Sequence, residues 1–416
     1  MSSHPRNAFL AGALLLLAGL AVVFSSIRCA SGERQDAAGS RAAQETTGEV
    51  GAPVEGTSQT TALRTSVIHE PLYAEGSDGK VHLEYDLVST SVFPVPVTLS
   101  KVEVRDGDGQ RLLTLEGDDL EARTQPLGDT TATREVPASG AANTLVDVVV
   151  EPDNVPKRLI NRITYELPQD APEILKALLE STTIEWPQLE VPRRAPLVIT
   201  PPLSGDGWFN GNGCCDPTPH RSFRMAVDGE RLVAPETFAI DWVQVRGNST
   251  FEGDGTKNED YFAFGAEVRS ATDGEVVDVR DGLAEETPNN DPVNVQLPLD
   301  VGGNHVLVRA RPGVYAFYGH LQPDSIDVRV GDEVETGQPV GKLGNTGNST
   351  QPHLHFQLAD SPDVLTSNSL PFVIDRYTLA GSVALDRSTD TNLVVEDTPE
   401  YQEKTHPLFP SVADFR

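Results

Sequence analysis

Apolar and polar residues alternate along most of the chain from Val67 onward. In "KVHLEYDLVS", "VPVTLSKVEVRD" and "TLVDVVVEP" an apolar side chain recurs at nearly every second position, the period of a strand. Turn signals such as "DGDGQ" separate these runs, so residues 65–198 read as an immunoglobulin-like β-sandwich. "APEILKALLES" alone has helical spacing. Pro-rich "VPRRAPLVITPPLSG" then marks a boundary near 195–205.

Residues 199–379 form a second unit. Segments such as "RSATDGEVVDVRDG", "GGNHVLVRARPGVYAFYGHL" and "VRVGDEVETGQPVGKLGNTG" alternate between Gly-rich corners, again predicting strands. The last resembles half of a β-hybrid barrel, with "VGDEV" and "GQPVG" as successive hairpin corners. The chain is therefore expected to be all-β, as its 35 Gly and 31 Pro also suggest. Residues 380–416 are polar and acidic and read as a C-terminal tail wrapping the surface.

The N-terminus departs from alternation. Phe9 to Ile27 carries no charge and fits a signal peptide or a membrane anchor within residues 1–29. Cys29 follows directly, as in a lipoprotein signal, although Arg28 stands where such a signal has a small residue. Residues 30–64 are rich in Ala, Gly, Ser, Thr and Glu, the composition of a flexible linker. Export follows as the expectation, to an extracytoplasmic site at the cell envelope. The formal net charge of −30 argues against nucleic acid as a partner and limits membrane contact to the N-terminal segment. The adjacent pair Cys214-Cys215 reads equally as a vicinal disulfide or as two thiols in a turn.

The chemistry concentrates in the second unit. In "GNTGNSTQPHLHFQL", alternation sends His353, His355 and Gln357 to one face and Leu354, Phe356 and Leu358 to the other. In "YAFYGHL", Tyr318 and His320 share a face. In "TFAIDWV", a strand running through the whole segment would put Thr237, Ala239 and Asp241 opposite Phe238, Ile240 and Trp242. His69 and His82 in the first unit stand alone and read as structural.

The segment "YGHLQPDSIDVRVGDEVETGQPVGKLGNTGNSTQPHLHFQL" resembles the second half of the lysostaphin-type (LytM-like) zinc metallopeptidases, which cut peptidoglycan cross-links. The likeness runs over roughly residues 235–358 and rests on Y-x-H-L, G-x-[ST]-G and P-H-L-H-F. It implies a lysostaphin-type β-sheet peptidase domain with one zinc. Asp241 and His355 match metal ligands, and His320 and His353 match the two histidines that orient water and stabilise the oxyanion. Three protein ligands would leave zinc one open position for water, whose pKa falls toward ~7.

The chain departs from the family pattern in two places. The family's H-x-x-x-D needs a histidine where this chain has Thr237, and Gln357 replaces an acidic residue common after H-L-H-F. His220 in "GNGCCDPTPHRSFRM" is the candidate third ligand, expected on a strand crossing opposite Thr237. Cys214, Cys215 and His305 are weaker alternatives, and a solvent-facing His220 is the plain one. Two functions follow from the resemblance: a zinc endopeptidase on peptidoglycan peptides, or a degenerate relative that activates cell-wall amidases.

Overall fold

The computed structural model describes residues 59–192, 194–385 and 393–416. The expected signal segment, Cys29 and most of the expected linker lie outside them. Among the described residues no helix is long and apolar enough to cross a membrane.

The first unit is two five-stranded antiparallel sheets that share one core. One is built on the long strands Val81–Ser91 and Ala141–Val150, the other on Val97–Asp106 and Arg158–Glu166. Their inward faces supply Leu83, Tyr85 and Leu87 from one side and Leu99, Val102 and Val104 from the other. The Tyr85 hydroxyl crosses the core to donate to Asn161 Oδ1 at 2.7 Å, as a buried phenol must find a partner. The "APEILKALLES" segment contains one helical turn, Glu173–Ala177; two others, Gly117–Ala122 and Pro219–Ser222, carry no helical periodicity and are not legible in the sequence.

The other face of Val81–Ser91 is polar: His82, Glu84 and Asp86 point away from the core, yet all three are buried. The second unit covers them.

That unit is built on a twelve-stranded sheet. Its centre runs in the order Gly205–Gly211, Ile240–Gln244, Leu354–Ala359, Val314–Leu321 and Asn304–Arg311, every neighbour antiparallel. Ile240, Trp242, Leu354, Phe356 and Tyr318 fill the core beneath one face. The corners "GDEV" and "QPVGK" form the short strands Glu333–Val334 and Pro339–Lys342.

The expected surface tail from residue 380 is not one. Phe372–Leu385 and Leu393–Thr405 pair as a long hairpin, and Ser411–Phe415 inserts between Phe372–Leu385 and Gly205–Gly211. Its polarity misled: Ala413 and Phe415 alternate into the core, and Phe415 meets Trp242 edge-on with ring centroids 5.1 Å apart.

Candidate metal centre

Asp241 and His355 are direct register partners on adjacent antiparallel strands, and Gly319 is the partner of His355 on its other side. The sheet alone therefore sets Asp241 beside His355 and puts His320 one residue beyond. Asp241 Oδ1 lies 2.9 Å from His355 Nδ1.

His220 reaches the same point from outside the sheet. It sits on the helical turn Pro219–Ser222 rather than on a crossing strand. Thr218 caps that turn through its hydroxyl, and Pro219 occupies a first-turn position that needs no donor. His220 Nε2 is 3.2 Å from Asp241 Oδ2. The donor atoms of His220, Asp241 and His355 all lie within 4.8 Å of one another, and all three residues are buried.

Each imidazole tautomer follows from its outer partner. His220 Nδ1–H donates to the Ala239 carbonyl at 3.2 Å, leaving a lone pair on Nε2. Gln357 donates its amide N–H to the Pro235 carbonyl at 3.1 Å, which turns its Oε1 toward His355. That oxygen accepts His355 Nε2–H at 2.9 Å and leaves a lone pair on Nδ1. Both lone pairs face the Asp241 carboxylate, whose Oδ2 also accepts from Asn212 Nδ2 at 2.8 Å. Three acceptors aimed at one point repel unless positive charge lies between them. The donor set of two imidazoles and a carboxylate suits zinc.

The electrostatics carry the same signature. Burial lowers the His220 and His355 pKa values, but the Asp241 carboxylate outweighs it and both end above the ordinary 6.5. Burial would raise Asp241, but His220 and His353 hold it well below the usual carboxylate range.

His353 and His320 flank the cluster, their rings 4.6 Å apart. His353 Nδ1–H donates to the Gln351 carbonyl at 2.8 Å, with Ser349 Oγ 3.2 Å away, and Nε2 points to Asp241 Oδ1 at 3.4 Å. Burial lowers its pKa and Asp241 raises it, for a net rise. His320 Nδ1–H donates to the Thr346 carbonyl at 2.7 Å, leaving Nε2 free. Burial and the neighbouring His353 and His355 push His320 well below the ordinary value, so it is neutral. Its backbone is in the left-handed region at φ +62°, a conformation uncommon outside glycine. Hydrogen bonds to Gly302 and from Gly344 hold it there.

The glycines of "GNTG" allow this loop to press in: a Cβ on Gly347 would lie 2.4 Å from the Gly303 nitrogen.

Thr237 falls in a turn before the strand Ile240–Gln244, so the alternation read through residues 237–241 does not hold. Its side chain is buried and its hydroxyl has no hydrogen-bond partner among the described residues. His305 pairs elsewhere, with its ring nitrogens 2.9 Å from the Gly303 carbonyl and 3.3 Å from Asp278 Oδ2, and Cys214 and Cys215 are joined as a disulfide packed on Ala74 and Phe238.

Residues 256–365 match the description "Peptidase family M23". That stretch is a domain of peptidase family M23. It holds His320, His353 and His355, while His220 and Asp241 lie before it. The chain is 47% identical over 57 residues to glycyl-glycine endopeptidase ALE-1 of Staphylococcus capitis, covering 14% of this chain and 15% of that protein. It is 47% identical over 57 residues to lysostaphin of Staphylococcus simulans, covering 14% and 11%. It is 35% identical over 77 residues to peptidoglycan DD-endopeptidase ShyC of Vibrio cholerae, covering 18% and 15%. The chain thus spans well under a fifth of the length of these M23 relatives.

Two side chains of the site escaped sequence reasoning. Asn212 carries no motif; only the pairing of Gly211 with Asp241 brings it near. Gln357 departs from the family pattern, yet its amide oxygen orients His355 by accepting its N–H.

Proposed function

We propose that this chain is a zinc-dependent endopeptidase that hydrolyses peptide bonds in peptidoglycan at the cell envelope. The observation that carries the reading is the convergence of His220 Nε2, the Asp241 carboxylate and His355 Nδ1 within 4.8 Å of one another. His220, Asp241 and His355 would hold the ion, with His220 taking over the part that the family pattern gives to a histidine at position 237. When bound, zinc supplies Lewis acidity that brings the pKa of water at the site toward ~7.

The chain's own residues do the remaining work. Neutral His320, with Nε2 free and Nδ1–H anchored on Thr346, accepts a proton from the attacking water and returns it to the leaving amine. His353, anchored through Nδ1 on Gln351, directs Nε2 into the site and offers an N–H to the oxyanion. The two histidines are pushed to opposite sides of the ordinary pKa, the pattern of an acid and base pair. Identity to glycyl-glycine and DD-endopeptidases supports cross-link peptides as substrate.

Purified chain should release peptides from peptidoglycan sacculi, lose that activity to a chelator and regain it with zinc. Zinc-loaded protein that releases nothing yet stimulates an amidase would favour the regulatory reading instead.

A further inference from the structure

The ligands differ in how they are held. Asp241 and His355 are locked together by sheet register. His220 has no place in that sheet; it stands on a single helical turn. Thr218 and Ala239 of its own unit hold one side of the turn, and the first unit holds the other.

Successive helical residues point about 100° apart. His220 faces Asp241, so Arg221 faces away from the site, toward the strand Val81–Ser91 of the sandwich. There the Arg221 guanidinium pairs with Glu84 and lies 3.8 Å from Asp86, and all three side chains are fully buried. Arg224 pairs with Asp86 as well, and Asn143 donates to Asp86 at 2.9 Å. The next residue in the turn, Ser222, accepts from Gln125 Nε2 of the sandwich at 2.9 Å. This explains why the outward face of Val81–Ser91 carries carboxylates and is nonetheless buried.

We propose that the sandwich is part of the metal centre: Glu84 and Asp86, acting through Arg221 and Arg224, are positioning residues for His220. This rests on the zinc reading given above for the ligand role of His220, but the positioning itself is a statement about where the imidazole is held. Buried charge pairing suits the task because moving the turn away would leave uncompensated charge inside the protein. In a chain whose family pattern lacks the first-strand histidine, the replacement ligand sits on a segment that a neighbouring unit must hold.

The test uses the full chain. Glu84→Gln and Asp86→Asn remove charge and keep shape. Zinc affinity is read by competition with a chromophoric chelator. On chelator-treated protein, modification of His220 by diethyl pyrocarbonate is followed by peptide mass spectrometry, with His353 as internal reference. Either variant should weaken zinc at least ~10-fold, the effect of losing a ligand's support, and speed His220 modification by a similar factor while His353 is unchanged. Gln125→Ala leaves the charges in place and should move both readings the same way by about threefold; it decides the matter if the carboxamide variants lose their cooperative melt. A folded variant with unchanged zinc affinity and an unchanged His220 rate overturns the proposal. Wild-type protein that binds no zinc instead overturns the proposed function, and the His220 rate alone then judges the positioning.

Discussion

His355 Nε2–H ends on the amide oxygen of Gln357, two residues further along the same strand. The contact reaches the opposite nitrogen from the one facing Asp241, so it selects the tautomer that leaves Nδ1 able to bind a cation.

Gln357→Leu should therefore weaken zinc by ~10–100-fold, the usual effect of losing a ligand's outer partner. Gln357→Glu, which still accepts the N–H, should stay within a few-fold of wild type. Chelator competition on the two variants distinguishes orientation from mere packing.

The pH dependence of stability has a definite sign. His220 has a folded pKa raised above 6.5, so in metal-free protein its contribution is fully present below that value and is lost as pH rises through the raised one. The stability lost in His220→Ala should be larger at pH ~5.5 than at pH ~8.5 without metal. With zinc the order should reverse, because protons compete for the same nitrogen. Denaturant melts of both proteins at the two pH values, with chelator and with zinc, check this.

Thr237 stands where the family pattern has a ligand, but its buried hydroxyl has no partner among the described residues. Thr237→Val should leave zinc affinity unchanged and stabilise the fold by about 1 kcal/mol, since an unsatisfied buried hydroxyl is removed at nearly constant shape. A loss of zinc in this variant would show that the threonine takes part after all.

The strand patterns were legible because period-2 alternation depends on neighbours in sequence, and local motifs made His320, His353, His355 and Asp241 legible as candidates. The all-β class follows from the same signals. Illegible features depend on what lies across an interface. Glu84 and Asp86 sit on the polar side of an alternating strand and look solvated, and nothing local in the sequence announces Arg221 as their partner. Ser411–Phe415 is hidden in a stretch rich in Asp, Glu, Ser and Thr, and its place in the sheet depends on pairing with strands far away in sequence. His220 was legible as a candidate by elimination, but not as part of a helical turn, since four residues carry no periodic signal.

The central claim is that His220 completes a three-ligand zinc site with Asp241 and His355. Its most direct test is the zinc content of wild-type protein and His220→Ala after chelator treatment, zinc addition and desalting, with both proteins verified as folded. The account predicts one zinc per chain in the wild type and none retained in His220→Ala. Stoichiometric zinc in the variant, or none in the wild type, would contradict it.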